Sequence, residues 1–174
     1  MTTLLALALI IAQNTAVWPD SGAVVSSAPA PATRMTNTVL VHHAPTVKID
    51  CDAAEVRIVS WLSDKVRVSS QGSAGTLTRL DSSNTVIFHH KENSRSLSQD
   101  MMPAVHTIFV PSNAVVEVFL ANGNITVDGP VSKMSIAVDR GNITLKDAAG
   151  VAEAATTVGT LTRTTNGEPS SVQF

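Results

Sequence analysis

The residues able to do chemistry are few and widely spaced. Two histidine pairs, His42-His43 and His89-His90, are joined by a lone His106. Adjacent residues of an extended strand face opposite ways, so each pair can lend one imidazole to a metal, with His106 as a third. No cysteine or carboxylate cluster accompanies them, so they read as strand-end histidines and no metal ligand is assigned. Glu117 and Glu153 stand thirty-six residues apart, with Ser135 midway between them. On stacked strands they would stand roughly 9.5 Å apart, two inter-strand spacings. That is near the upper end of the separations of inverting glycosidases. The column holds only the pair, and nothing near it would activate a water, so no catalytic residue is assigned. The chain contains no nucleophile elbow, zinc-protease helix motif, phosphate loop or paired C-x-x-C. No cofactor is implied.

What positions these residues is a repeat. Written in lines of eighteen from Val118, the sequence aligns Gly123, Gly141 and Gly159. The same lines align Ile125, Ile143 and Leu161; Thr126, Thr144 and Thr162; and Val118, Ile136, Ala154 and Val172. A fixed period with aligned apolar and glycine columns is the signature of a solenoid, whose repeats bury their faces only by stacking. Eighteen residues is too short for a helical pair, and apolar residues at every second position are those of strands. The expected fold is therefore all-β: a parallel β-helix or β-roll of approximately 18-residue coils, best formed in the C-terminal half. Gly123, Gly141 and Gly159 read as repeat corners, where a positive φ or a close backbone approach favours glycine. Asn124 and Asn142 follow them, and stacked amides can hydrogen-bond along the axis. The threonines should form an outward ladder. Flat threonine arrays serve ice binding when doubled as Thr-x-Thr, but here Asp128, Lys146 and Thr164 hold the neighbouring positions. Ordinary strand preference explains the ladder, with Asp128 and Lys146 as a cross-repeat charge pair.

The N-terminal half echoes the pattern weakly. TVLVHH (38–43), TVKIDC (46–51), EVRIVSW (55–61), KVRVSS (65–70) and TVIFHH (85–90) alternate or carry β-branched runs. Val47 and Ile49 precede Val66 and Val68 by nineteen, which predicts two or three irregular coils. Lys91 to Pro103, KENSRSLSQDMMP, interrupts the pattern and is expected to be a surface loop excursion over 91–104.

The bulk properties bound the rest. A chain of 174 residues holds one domain, with formal net charge −2 and a pI near 6.2. That balance argues against nucleic-acid binding, which shows a basic patch. One cysteine, Cys51, excludes an internal disulfide. Four Phe, two Trp and no Tyr count against a broad aromatic platform for sugars. The apolar run of nine, Leu4 to Ala12, is too short for a membrane span but has the length of a signal-peptide core. Cleavage after Ala16 or Ala23 would follow small residues, although no Lys or Arg precedes Arg34. The organisation expected is a signal peptide over 1–23, a Pro/Ala/Ser linker over 24–34 and a β-solenoid domain over 35–174.

Three stretches carry a family resemblance: EVRIVSW with DKVRV, then TIFVPSNAVVEVFLANGNITVDG, then MSIAVDRGNITLKDAAG. Their succession of strand, Gly-Asn, apolar-x-apolar strand and glycine resembles the bacterial putative-adhesin family of unknown function, over about residues 46 to 165. The resemblance implies an exported parallel β-helix or β-roll and carries over no catalytic residue. The two His-His pairs and the small number of coils depart from the family pattern. The expected function is a non-enzymatic, adhesin-like interaction or structural module of the cell envelope. It would sit in the periplasm, at the cell surface or outside the cell, with no stable membrane span after processing. Its partner would be an envelope protein or a surface polysaccharide. The alternative is a carbohydrate-active enzyme or polysaccharide-binding protein on a β-helix.

Overall fold

The computed structural model describes residues 34–72, 76–80, 84–91, 103–165 and 168–173. The expected signal peptide and, apart from Arg34, the expected linker lie outside them, as does most of the 91–104 excursion. The described residues contain no helix and form strands in close succession. These are β1 (Arg34–Leu40), β2 (Thr46–Ala53), β3 (Glu55–Trp61), β4 (Lys65–Gln71), β5 (Thr76–Leu80), β6 (Thr85–His90) and β7 (Val105–Pro111). Then follow β8 (Val115–Asn122), β9 (Ile125–Asp128), β10 (Lys133–Arg140), β11 (Ile143–Lys146), β12 (Val151–Val158), β13 (Thr160–Thr165) and β14 (Glu168–Gln173). The all-β expectation holds. The reason is legible in β8, VVEVFLAN: Val116, Val118 and Leu120 are buried while Glu117 and Phe119 are exposed. A strand presents alternate residues to alternate faces, so one such string supplies both a core and a surface.

The strands make two mixed sheets. One has the order β1-β4-β7-β3-β9-β11-β13-β14, the other β12-β10-β8-β2-β6-β5. Within each, five neighbouring strands run parallel: β7-β3-β9-β11-β13 and β6-β2-β8-β10-β12. The chain steps from a strand of the second sheet into the strand at the matching place in the first: β2 to β3, β6 to β7, β8 to β9, β10 to β11, β12 to β13. Each such pair is called a rung here. The eighteen-residue spacing is the pairing register, since Ile143 lies between Ile125 and Leu161, and Ile136 between Val118 and Ala154. Both sheets contribute to one apolar core. Val47, Ile49, Val116, Val118, Leu120, Met134 and Ile136 from the second sheet join Val56, Ile58, Ile108, Ile125, Val127 and Ile143 from the first. Burying each such side chain contributes about 1.5–3 kcal/mol.

Two expectations about order need correction. The nineteen-residue echo between β2 and β4 is not a pairing. β2 lies between β6 and β8, while β4 runs antiparallel between β1 and β7. Alternation identifies a strand but does not state its neighbour or direction, so a spacing of nineteen is not by itself a register. The rung β2–β3 is thus inserted between two later ones, and the chain crosses over it on the way from β7 to β8. The second correction concerns the tail. Val172 does not rejoin the column of Val118, Ile136 and Ala154. It pairs with Leu161, because β14 folds back antiparallel on β13, and it is 55% exposed. Two residues, 166–167, separate the two strands, which is enough for a hairpin. Phe174 lies outside the described residues.

Candidate functional site

The outward positions of the second sheet form rows across the rungs. One row runs Ile87, Lys48, Glu117, Ser135, Glu153; the next runs His89, Asp50, Phe119, Ala137, Ala155. The register therefore does align Glu117 and Glu153 with Ser135 between them, as the spacing predicted. What the sequence did not show is Lys48, which the inserted rung brings beside Glu117 with a 2.8 Å ion pair. Asp50 is similarly joined to His89, with oxygen and Nδ1 3.1 Å apart. Between these pairs the surface sinks into an open groove of about 430 Å³, bordered by Lys48, Asp50, Glu117, Phe119, Lys133 and Ser135. Phe119 is 51% exposed, and the residues beside it on β10 and β12 are alanines. Of the other Phe and Trp rings of the described residues, one is buried and two are half-buried. Phe88 is buried in the core, and Arg67 stacks over Phe109 and Trp61 with its guanidinium carbon 4.3 and 5.3 Å from their centroids.

The repeat corners lie at the junction of the two sheets. Gly123, Gly141 and Gly159 all have positive φ, of 127°, 142° and 151°. A Cβ on Gly141 would overlap the carbonyl oxygen of Gly123, and one on Gly159 that of Gly141. The corner of the inserted rung is Ala54, whose carbonyl oxygen would meet a Cβ on Gly123. Beside this column runs a hydrogen-bonded ladder. Asn124 Nδ2 donates to Glu55 Oε1 at 2.8 Å, the backbone N–H and Nδ2 of Asn142 donate to Asn124 Oδ1 at 2.9 and 3.0 Å, and the Thr160 N–H donates to Asn142 Oδ1 at 2.9 Å. Ala54 and Glu55 belong to the column, but their distance from Gly123 in sequence is no multiple of eighteen, so the alignment missed them. The arrangement fixes one rung on the next. Outside it, Asp128 is held by Arg57 at 2.7 Å, not by Lys146 as expected, because β9 lies between β3 and β11 and the longer guanidinium reaches it.

The histidines are divided. His90 and His106, 2% and 0% exposed, meet across the core with ring centroids 4.6 Å apart. His106 stands in the column of Val56, Ile125, Ile143 and Leu161 and shares a 2.9 Å hydrogen bond between Nδ1 and Ser70 Oγ. These two are core residues, not the strand-end surface histidines expected. Burial, then the neighbouring His90, lowers the His106 pKa from 6.5 to about 4. His43 lies instead at an exposed turn, where its Nδ1 is 2.9 Å from Asn113 Nδ2. Cys51 pairs in register with His90, and burial, helped by Asp50 and Asp52, pushes its thiol up to about 12. Among the described residues no three His, Cys, Asp or Glu side chains come together to hold a metal ion.

No protein-family model and no curated protein matches the chain. The family resemblance therefore rests on the short motifs alone. Among solved structures, the chain is similar to a putative cell adhesion protein from Clostridium sporogenes, at 11% identity and a TM-score of 0.44, over 68% of this chain and 73% of that one. It is also similar to a putative adhesin from Parabacteroides distasonis, at 12% identity and a TM-score of 0.38, covering 74% and 66%. A third, a putative adhesin from Bacteroides fragilis, has 12% identity and a TM-score of 0.29, covering 75% and 97%.

Proposed function

We propose that the chain is an exported, non-enzymatic β-solenoid that serves as an adhesin-like interaction module of the cell envelope. The observation that carries this reading is the open groove on the outer face of the second sheet, where an exposed Phe119 lies among Lys48, Asp50, Glu117 and Lys133. Such a face is made for contact over an area. The parallel rungs at an eighteen-residue register support the solenoid. The sequence resemblance supports the adhesin-like class and, with the apolar run at 4–12, export. Among the described residues no helix is long and apolar enough to cross a membrane. Glu117 is engaged by Lys48 and separated from Glu153 by Ser135, an arrangement that favours a binding role over acid–base work.

The test is attachment of the full chain to isolated bacterial envelopes, with N-terminal sequencing and fractionation of the native protein. Retention on envelopes and a processed N-terminus outside the cytoplasm are expected. A cytoplasmic protein still beginning at Met1 would overturn export. Release of sugar products from envelope polysaccharide, abolished by Glu117→Gln, would make the chain an enzyme and overturn the reading.

A further inference from the structure

Phe119 and its surroundings specify a kind of ligand. The groove contains two cations, Lys48 and Lys133, and two carboxylates, Asp50 and Glu117. An acidic polymer would meet both carboxylates, and a basic peptide both ammonium groups. A purely apolar partner would strip water from all four charges without replacing their hydrogen bonds. What suits a charge-balanced groove around an exposed ring is a neutral molecule that alternates apolar faces with hydroxyl groups. A pyranose is such a molecule: its axial C–H face packs on an aromatic ring while its hydroxyls bond to carboxylates and amines at the edge.

The site also has a direction. From Phe119 the row continues through Ala137 and Ala155, both exposed, on strands spaced about 4.8 Å apart. Beside it runs Glu117, Ser135, Glu153. Past Phe119 the first row carries no side chain beyond Cβ, and the second lines it with hydrogen-bonding groups. A track open at its end accommodates a polymer better than a single sugar.

We infer that the outer face of the second sheet binds a neutral polysaccharide, with Phe119 stacking on one sugar and the chain running along Ala137 and Ala155. This rests on the interaction reading above and adds to it the ligand class and the site. Among the described residues Phe119 is the one exposed Phe or Trp, so the scarcity of aromatics concentrates the contact instead of abolishing it.

The experiment is affinity electrophoresis of the full chain in gels containing mannan, mixed-linkage β-glucan or xyloglucan, with heparin and poly-lysine as charged controls. One neutral polymer should retard the chain, and neither charged control should. Phe119→Ala should weaken that retardation about tenfold or more, the loss of one aromatic stack. Ala137→Glu, which blocks the track without touching the ring, should weaken it too, and Thr144→Ala on the other sheet should not. Thermal melts of each variant verify folding. Failure of all three neutral polymers to retard the wild-type chain overturns the inference, as does unchanged binding by both Phe119→Ala and Ala137→Glu. A chain that ignores these polysaccharides but still attaches to isolated envelopes overturns this inference and leaves the interaction reading intact. A chain that does neither overturns both.

Discussion

Replacing Gly141 with alanine should be far more damaging than a glycine substitution normally is. Its φ of 142° would cost an alanine about 1–3 kcal/mol by itself. The new Cβ would also overlap the carbonyl oxygen of Gly123 in the rung below. That oxygen belongs to backbone, so the overlap is relieved only by moving one rung away from another. Two hydrogen bonds join these rungs there: the Gly123 N–H to the Arg140 carbonyl and the Ile125 N–H to the Asn142 carbonyl, each 2.9 Å. Losing both adds about 2 kcal/mol, at about 1 kcal/mol each. The expected total is about 3–5 kcal/mol, a large part of a typical domain's stability. Gly72 supplies the control. It too has a positive φ, 87°, but a Cβ there would meet the Ala104 Cα at 3.5 Å, an ordinary contact. Gly72→Ala should cost the backbone term alone. Urea unfolding at equilibrium measures both variants. If they lose the same stability within about 0.5 kcal/mol, close stacking is not what the corner column requires.

Four further outcomes follow from the same packing. Ile143→Ala, fully buried between Ile125 and Leu161, should cost about 2–5 kcal/mol, while Thr144→Ser should cost well under that; thermal melts compare them. Stability should fall as pH drops from 6.5 towards 4, because the unfolded chain takes up a proton that His106 in the folded core does not. The loss reaches about 3 kcal/mol, and His106→Leu should flatten this part of the pH profile of unfolding. Removing β14 by truncation after Thr165 should lower the melting temperature little, since its side chains are exposed, but should bare the edge of β13 and raise the sedimentation coefficient through self-association. Asn124→Ala removes the oxygen that receives both donors of Asn142 and should cost about 1–2 kcal/mol in urea, without changing attachment to envelopes.

The legible part of the fold is the part repeated without interruption. From Val115 to Thr165 consecutive rungs are consecutive in sequence, so a constant offset places Ile125 on Ile143 and Glu117 on Ser135. Where the chain departs from that order, offset ceases to mean contact. Lys48 and Glu117 are neighbours although 69 residues separate them, and no periodic alignment of this sequence would pair them. The groove was therefore half visible: Glu117, Ser135 and Glu153 were found by spacing, and Phe119 was recoverable from the alternation of β8. Lys48 and Asp50 were not recoverable. The histidines show the converse difficulty. Alternation places His90 on the same face as Phe88, but a polar side chain at a strand end gives no sign that another rung covers it.

The most direct test of this arrangement is zero-length carbodiimide coupling of the full chain, followed by peptide mapping by mass spectrometry. The inserted rung places Lys48 Nζ 2.8 Å from Glu117, and the groove exists only because those two strands are neighbours. An amide joining Lys48 to Glu117, present at dilutions where copies of the chain do not couple to one another, is the predicted product. Coupling of Glu117 to other lysines with Lys48 left unmodified would contradict the order of the rungs, and the groove with it.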